Sequence, residues 1–478
     1  VSHAVSAGTI VSGATGAHAP GALPKIATGR IRAGSWRFLV RFWPLLVFAG
    51  YLTFTVIVFA FGPIPYPVTN PWTTYGFLAA AHLALVLGYL LVPFRIPTAS
   101  PAPGDDWMFS VPNLVIVSSV LNIVLLTPWT LYMTSGDYDV IAALLDPGAA
   151  YLRTYRRAVA TTNPFIYPIM LAAPLMALTV PLTLFYWRAL SGRVRAVAVA
   201  GIVAVLFPAA MLGRNKGFAD FIVIVVVFLL AHLFRREQPW SRRRWLMATS
   251  AGLIGILLFL AFFTISIETR GGRAAQGYSA AVGEYANPEN IFLAPFPDAV
   301  EPTLAMLYNY LTQGYYGLSL SLRVDFVWTR GLGNSFFLHM VQDRFLGSEL
   351  ARRTCYPARV EEAFGYSMLG HWHTIYPWLA SDLTFPGVVI FVALIGALLA
   401  ITWFETLAGT NPFSVAMFAN LCLMLVYFNA NNQMLGFPVP FATIMGTLAL
   451  WLFTRRRLAR AGSAEKPAPP AKPEGVTR

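Results

Sequence analysis

Apolar blocks of about 20 residues recur along the chain between short polar connectors, and about 20 residues is the length of helix that crosses a bilayer's hydrocarbon core. They fall at about 43–62, 74–94, 110–133, 164–187, 196–212, 217–234, 246–267, 384–404, 413–431 and 436–454. A soluble core helix imitates one or two such blocks, not the whole series. The pattern therefore predicts an all-α polytopic membrane protein with about 10 transmembrane helices.

Two connectors are more than links. Residues 134–163 hold Asp146-Pro147, an N-cap followed by proline at the first helical position. The helix it starts would carry Arg153, Arg156 and Arg157 on one face. Residues 268–383 form the second, and they are too long for a simple connection. Within them, TLAMLYNYLTQGYYGLSLSL and SFFLHMVQDRFLG have the pattern of amphipathic or shallow re-entrant helices lying over the bundle. The chain thus divides into a disordered tail (1–42), helices 1–7 (43–267), a large loop (268–383), helices 8–10 (384–454) and a Pro-rich polar tail (455–478). No internal repeat is evident, which weakens a transporter built from inverted halves.

Charge adds orientation. The composition is 57% hydrophobic and 12% charged with a formal net charge of +13, yet the basic residues lie between apolar blocks rather than in one aromatic-interleaved patch. That placement argues against nucleic acid. With both ends inside, 21 of the 34 Lys and Arg fall inside and 13 outside, 8 of those 13 in the long loop where the positive-inside rule has little force. WRALSGRVR, FRREQPWSRRRW and TRRRLAR all fall inside, which places both termini in the cytoplasm and residues 268–383 on the outer face. The two cysteines, Cys355 and Cys422, offer neither a disulfide framework nor a metal spacing.

Several outer residues could carry chemistry. Arg214 and Lys216, in the short hairpin MLGRNKGFAD, suit a phosphate through a bidentate guanidinium and a point-charge ammonium. The bland alternative is an internal Lys216–Asp220 pair one helical turn apart. Arg270 and Arg273, in ETRGGRAAQGY, stand beside glycines that let backbone approach a ligand. Arg153, Arg156 and Arg157 form a second anion site or rest on lipid headgroups. His371, His373 and Asp382 gather near the entrance of the eighth span, where a histidine could act as general base with Asp382 orienting a sugar hydroxyl or the imidazole. In one continuous helix His371 and Asp382 would share a face and His373 would point away, which disfavours zinc. YFNANNQ supplies Asn429, Asn431, Asn432 and Gln433 for hydrogen bonds to hydroxyl-rich ligands, or a solvated turn. Asp137 and Asp139 form a D-x-D that either holds a divalent cation or is a chance pair.

These features resemble the O-antigen polymerases, the Wzy or oligosaccharide repeat unit polymerase family, which is related in architecture to the O-antigen ligases. The resemblance covers about residues 40–455 and rests on the span count, the G-R-N-K-G turn of Gly213 to Gly217, and YNYLTQGYYGLSLSL in the long loop. It rests also on WHTIYPWLASDLTFPGVVI, with Thr374, Asp382 and Gly387 entering a late span. It implies a glycosyltransferase of the bacterial cytoplasmic (inner) membrane, acting in O-antigen, capsule, exopolysaccharide or lipopolysaccharide biosynthesis. Such an enzyme transfers a glycan from undecaprenyl pyrophosphate to another lipid-linked repeat unit on the outer face, without metal or cofactor. Outer arginines would hold the pyrophosphate, and His371 or His373 would be the base. Its partners would be the undecaprenyl-pyrophosphate-linked oligosaccharide, membrane lipid, and the flippase and chain-length regulator of the same pathway.

Rival functions differ by feature. An O-antigen ligase shares donor, carrier and fold type, and only the acceptor differs. A polyprenyl-phosphate-sugar glycosyltransferase would want an acidic residue in the first outer loop, and PIPYPVTNPWTT has none. A transporter or flippase would place ionisable groups in mid-span, where Asn122 is uncharged and Asp220 lies near a span end.

Overall fold

The structure, a computed structural model, describes residues 35–95, 107–160, 164–235, 241–272 and 276–464. The two tails, 1–34 and 465–478, and Arg273 lie outside them, as does the side chain of Arg157. In chain order the helices are α1 (Ser35–Phe61), α2 (Pro71–Leu91), α3 (Val111–Met133), α4 (Val140–Leu145), α5 (Pro147–Ala160) and α6 (Ile166–Met176). Next come α7 (Thr179–Tyr186), α8 (Gly192–Met211), α9 (Asn215–Arg235), α10 (Arg242–Arg270), α11 (Glu301–Ser321) and α12 (Phe336–Leu346). The chain ends in α13 (Leu350–Thr354), α14 (Tyr356–Phe364), α15 (Ile375–Ala408), α16 (Pro412–Tyr427) and α17 (Pro438–Ala464). Between α10 and α11 one small antiparallel hairpin pairs Tyr278–Ser279 with Glu284–Tyr285.

This is an all-α, polytopic membrane architecture. Among the described residues eight segments are long and apolar enough to span: α1, α2, α3, α6 with α7, α8, α9, α10 and α15. The expected ninth and tenth fall short of that measure. Helix α16 has 16 residues against the roughly 20 a crossing needs, and α17 carries Arg455, Arg456 and Arg457 in its second half.

Close backbone approach fixes the bundle. Gly88 of α2 lies so near α15 that a Cβ would stand 1.9 Å from the Ala393 carbonyl oxygen, and a Cβ on Gly396 would stand 2.2 Å from that of Leu85. Small residues at helix crossings are how membrane helices gain van der Waals contact where no water drives them together. Trp43 of α1 packs edge-on against Trp403 of α15, ring centroids 5.2 Å apart, at the centre of the main core.

Three departures from the sequence pattern matter. The fourth span is two helices, because Pro174 and Pro181 strip amide donors from its middle. Asn122 of α3 answers that break by donating to the Met176 carbonyl (3.0 Å) and Thr179 Oγ1 (2.8 Å). The break thereby keeps its polar groups paired inside the bundle.

Helix α11 is packed into the bundle, not laid over it. Thirteen of its 21 residues are buried, and Tyr315 meets Thr55 of α1 at 2.9 Å between the two hydroxyls. By contrast α12 does lie on the surface, with Phe345 77% and Leu346 69% exposed.

The late span also begins early. Helix α15 starts at Ile375 instead of about 384, and Thr384 (φ 63°, ψ 164°) kinks it just before Pro386. His371 and His373 therefore sit in the loop before the helix, while Asp382 is inside it.

Candidate functional site

Arg214 and Arg270 are 56 positions apart in sequence, yet they meet at one turn. Gly213 (φ 60°) closes α8 in the left-handed region, which favours glycine, and a Cβ there would stand 2.0 Å from the Pro147 carbonyl oxygen of α5. Gly148 of α5 packs just as tightly on Thr269 of α10 and donates to its Oγ1 at 2.9 Å. So α5 is wedged between the α8–α9 turn and the end of α10. That wedge delivers Arg270, which occupies the last turn of α10, where the helix dipole favours a cation.

Arg270 Nη2 donates to the Gly213 carbonyl at 3.1 Å, and its guanidinium lies 4.3 Å from the Tyr151 ring centroid. Its Nε is buried and has no acceptor. Arg214 lies over Trp129 at 5.8 Å. Although Arg214 is open to solvent on one side, desolvation by the surrounding protein lowers its pKa, opposed in part by Tyr151. Among the described residues neither arginine has a carboxylate partner. Two guanidiniums over aromatic faces, one with an unanswered buried donor, beside the N-terminus of α9, make an arrangement that an oxyanion could complete.

Lys216 is different. Its ammonium pairs with Asp220 at 2.5 Å, and the Tyr427 hydroxyl donates to the other oxygen of that carboxylate at 2.5 Å. The internal pair outweighs a role as a free phosphate cation, since its charge is already compensated.

A second layer comes from α11 and the loop before α15. Trp372 packs on Tyr310 with centroids 4.6 Å apart, and Tyr310 lies within the electrostatic reach of Arg270. The loop is strapped down by Tyr366, whose hydroxyl donates to the carbonyls of Gln313 (3.1 Å) and Trp372 (3.0 Å). Both imidazoles pack on the Tyr366 ring, His371 at 4.6 Å and His373 at 5.0 Å.

The two histidines have different lives. His373 is fully buried, and desolvation pushes its pKa down to about 3, so it stays neutral and accepts a proton poorly. His371 is half-buried, with Nδ1 unpaired; desolvation lowers its pKa while Glu361 pulls the other way. Of the pair, His371 is the less buried.

Asp382 is held by a different segment. Its carboxylate accepts from Thr329 Oγ1, from the backbone amides of Gly331 (2.7 Å) and Asn334 (2.9 Å), and from Asn334 Nδ2 (2.8 Å). The anticipated His–Asp partnership is thus replaced by a clamp on the 329–334 loop, because α15 begins after both histidines and turns this carboxylate toward another segment.

The remaining candidates divide. Asn429 donates to the Leu311 carbonyl (2.7 Å) and accepts from Tyr51, and Asn432 donates to the Asn334 carbonyl (2.7 Å). Both are buried staples between segments, whereas Asn431 and Gln433 are half-buried with more freedom to meet a ligand. Asp139 caps α4 through the Ala142 amide (2.9 Å), and Asp137 accepts from the Asp139 amide and pairs with Arg153 at 3.6 Å. The D-x-D is therefore spent on local structure, and among the described residues no cluster of three or more His, Cys, Asp or Glu could hold a metal. Asp146 caps α5 as expected, accepting from the Ala149 amide at 2.9 Å. Arg153 and Arg156 line a cavity of about 410 Å³ between α3, α4, α5 and α8.

Sequence alone missed Trp129, Tyr151, Tyr310 and Trp372. Each is an aromatic in or beside an apolar run, so no local signal separates it from core. Against known proteins, no family model, no curated protein and no solved structure matches this chain.

Proposed function

We propose that the protein is a membrane glycan polymerase, joining undecaprenyl-pyrophosphate-linked oligosaccharide units on the outer face of the bacterial cytoplasmic membrane, with both termini in the cytoplasm. One observation supports this: Arg214 and Arg270 converge on the Gly213 turn with no carboxylate partner among the described residues, one with a buried donor unanswered. An anion completes such a site, and a lipid-linked diphosphate is one anion that a bilayer presents at the end of a helical bundle.

In this reading the acceptor hydroxyl attacks the anomeric carbon of the donor. The new glycosidic C–O bond forms as the C–O bond to the diphosphate breaks, and the electron pair leaves with the diphosphate on its carrier. Arg214 and Arg270 stabilise that growing charge, which is the role of a preorganised cationic hole. The hydroxyl proton passes to His371, while His373 supports the loop. Tyr310 and Trp372 offer flat apolar faces for a sugar ring, with Asn431 and Gln433 as hydrogen-bonding amides. Arg153 and Arg156 belong to a neighbouring basic surface that steers anionic lipid toward the site.

The test is lipid-linked oligosaccharide profiling. Arg270→Ala should cut polymer by about 100-fold, the loss expected for one stabilising donor, at normal protein level and normal export of lipid-linked units. Single repeat units should accumulate. Accumulated long lipid-linked chains would point instead to a ligase, and failed export to a transporter.

A further inference from the structure

Helix α5 borders a cavity on the side turned from the arginine turn. Tyr151 lies under the Arg270 guanidinium, and Arg153, which lines the cavity, stands about 200° further round a helix that is about 10 Å across. The cavity holds about 410 Å³, within the range of about 300–1,000 Å³ typical of pockets that bury a ligand. Its floor is Ala143, Ala150 and Met211, a small core of their own with none more than 3% exposed. That floor is apolar and closed, so an acyl chain finds no passage through it.

The walls are polar, and their hydrogen-bonding roles are set by the backbone. Thr134 Oγ1 donates to the Leu131 carbonyl (3.3 Å) and Thr154 Oγ1 to the Ala150 carbonyl (3.1 Å). With its one proton committed, each hydroxyl keeps lone pairs for an O–H of a ligand. Asp137 and Arg153 face each other at 3.6 Å, so these two charges answer one another. Arg156 lines the same cavity and, among the described residues, has no carboxylate partner. Two guanidiniums against one carboxylate thus leave one positive charge on a lining that otherwise offers acceptors.

We infer that this cavity holds an acidic sugar, its carboxylate on Arg156 and its hydroxyls on the threonine oxygens and Asp137. A neutral sugar leaves the guanidinium unanswered. A phosphodiester brings acceptors only and leaves the threonine lone pairs without a donor. A sugar monoanion supplies both, and the apolar floor suits the C–H face of its ring. The inference deepens the glycan-transfer reading and rests on it for the source of the sugar: the repeat units joined by this protein carry a uronic acid. Because α5 stands between the cavity and Arg270, that residue lies further along the glycan than the sugar on the diphosphate.

Isothermal titration calorimetry of the full chain in detergent, with D-glucuronate and with D-glucose, tests it. The wild type should bind glucuronate about tenfold more tightly, the difference expected of one charge-assisted contact. Arg156→Gln should remove that preference, whereas Arg270→Ala, across α5, should keep it. Thermal unfolding of each variant at the wild-type midpoint confirms the fold. Equal binding of the two sugars by the wild type, or an undiminished preference in Arg156→Gln, overturns the assignment. Displacement of glucuronate by an equal concentration of dihexanoyl phosphatidylglycerol also overturns it and makes the cavity a lipid-headgroup site. None of these readouts needs turnover, so the sugar assignment can fail while Arg270→Ala still abolishes polymer, and the preference can stand while polymer survives that substitution.

Discussion

At His373, burial and ionisation oppose each other. The ring is sealed between Gly317, Tyr366 and the Ser367 carbonyl, so folding holds it neutral, with its pKa pushed from 6.5 to about 3. His339 of α12, buried beside Trp378, is likewise lowered to about 4. In the unfolded chain both take up protons first. Their contribution is therefore complete above pH 6.5 and is lost as pH falls toward those depressed values. At pH 5 each should cost about 2 kcal/mol of stability. Thermal unfolding in detergent should show a midpoint falling between pH 7 and pH 5, and a shallower fall in the double variant His373→Gln, His339→Gln. An unchanged slope there would mean the acid sensitivity lies elsewhere.

Helix α15 shows how one element serves two ends. Its first two turns are locked to the loop regions: the Ser381 Oγ accepts from the Tyr356 amide and Asp382 clamps 329–334. Beyond the kink at Thr384 it becomes the partner of α2. Releasing the clamp should therefore free the loop without opening the bundle. Asp382→Ala should expose the Arg330–Gly331 bond to trypsin in the native protein, with one cut and an otherwise intact chain; resistance equal to wild type would contradict the clamp. On the membrane side, Gly396→Ala drives a Cβ into the Leu85 carbonyl, backbone against backbone, where no side chain can yield. The overpacking should cost about 1–3 kcal/mol, seen as a lower midpoint in thermal unfolding, whereas Gly50→Ala, which meets nothing within 4 Å, should be silent.

Across the whole molecule, orientation decides whether the arginine turn faces a lipid-linked glycan or the cytosol. Cys355 and Cys422 are both buried, so single cysteines introduced at exposed positions report sidedness cleanly. Asp343→Cys on α12 should react with a membrane-impermeant maleimide in intact spheroplasts. Arg193→Cys, at the start of α8, should react only after permeabilisation. The reverse pattern would put the carrier's glycan on the wrong side of the bilayer and end the polymerase proposal.

The sequence by itself determined the class of the molecule. Spacing of apolar blocks needs no partner to be legible, because each helix in lipid must satisfy its own backbone and cover its own length. The eight spanning segments, the Asp146-Pro147 start of α5 and the Lys216–Asp220 pair were all readable that way, since each depends on neighbours within a turn or on length alone. Only the tertiary structure decided the rest. Arg214 and Arg270 come to one turn through glycine contacts made by α5, the Asp382 carboxylate is taken up by the 329–334 loop, and α11 enters the core through Tyr315. Those choices are made by close packing between segments far apart in sequence, and no local pattern records which distant backbone will fill a given gap.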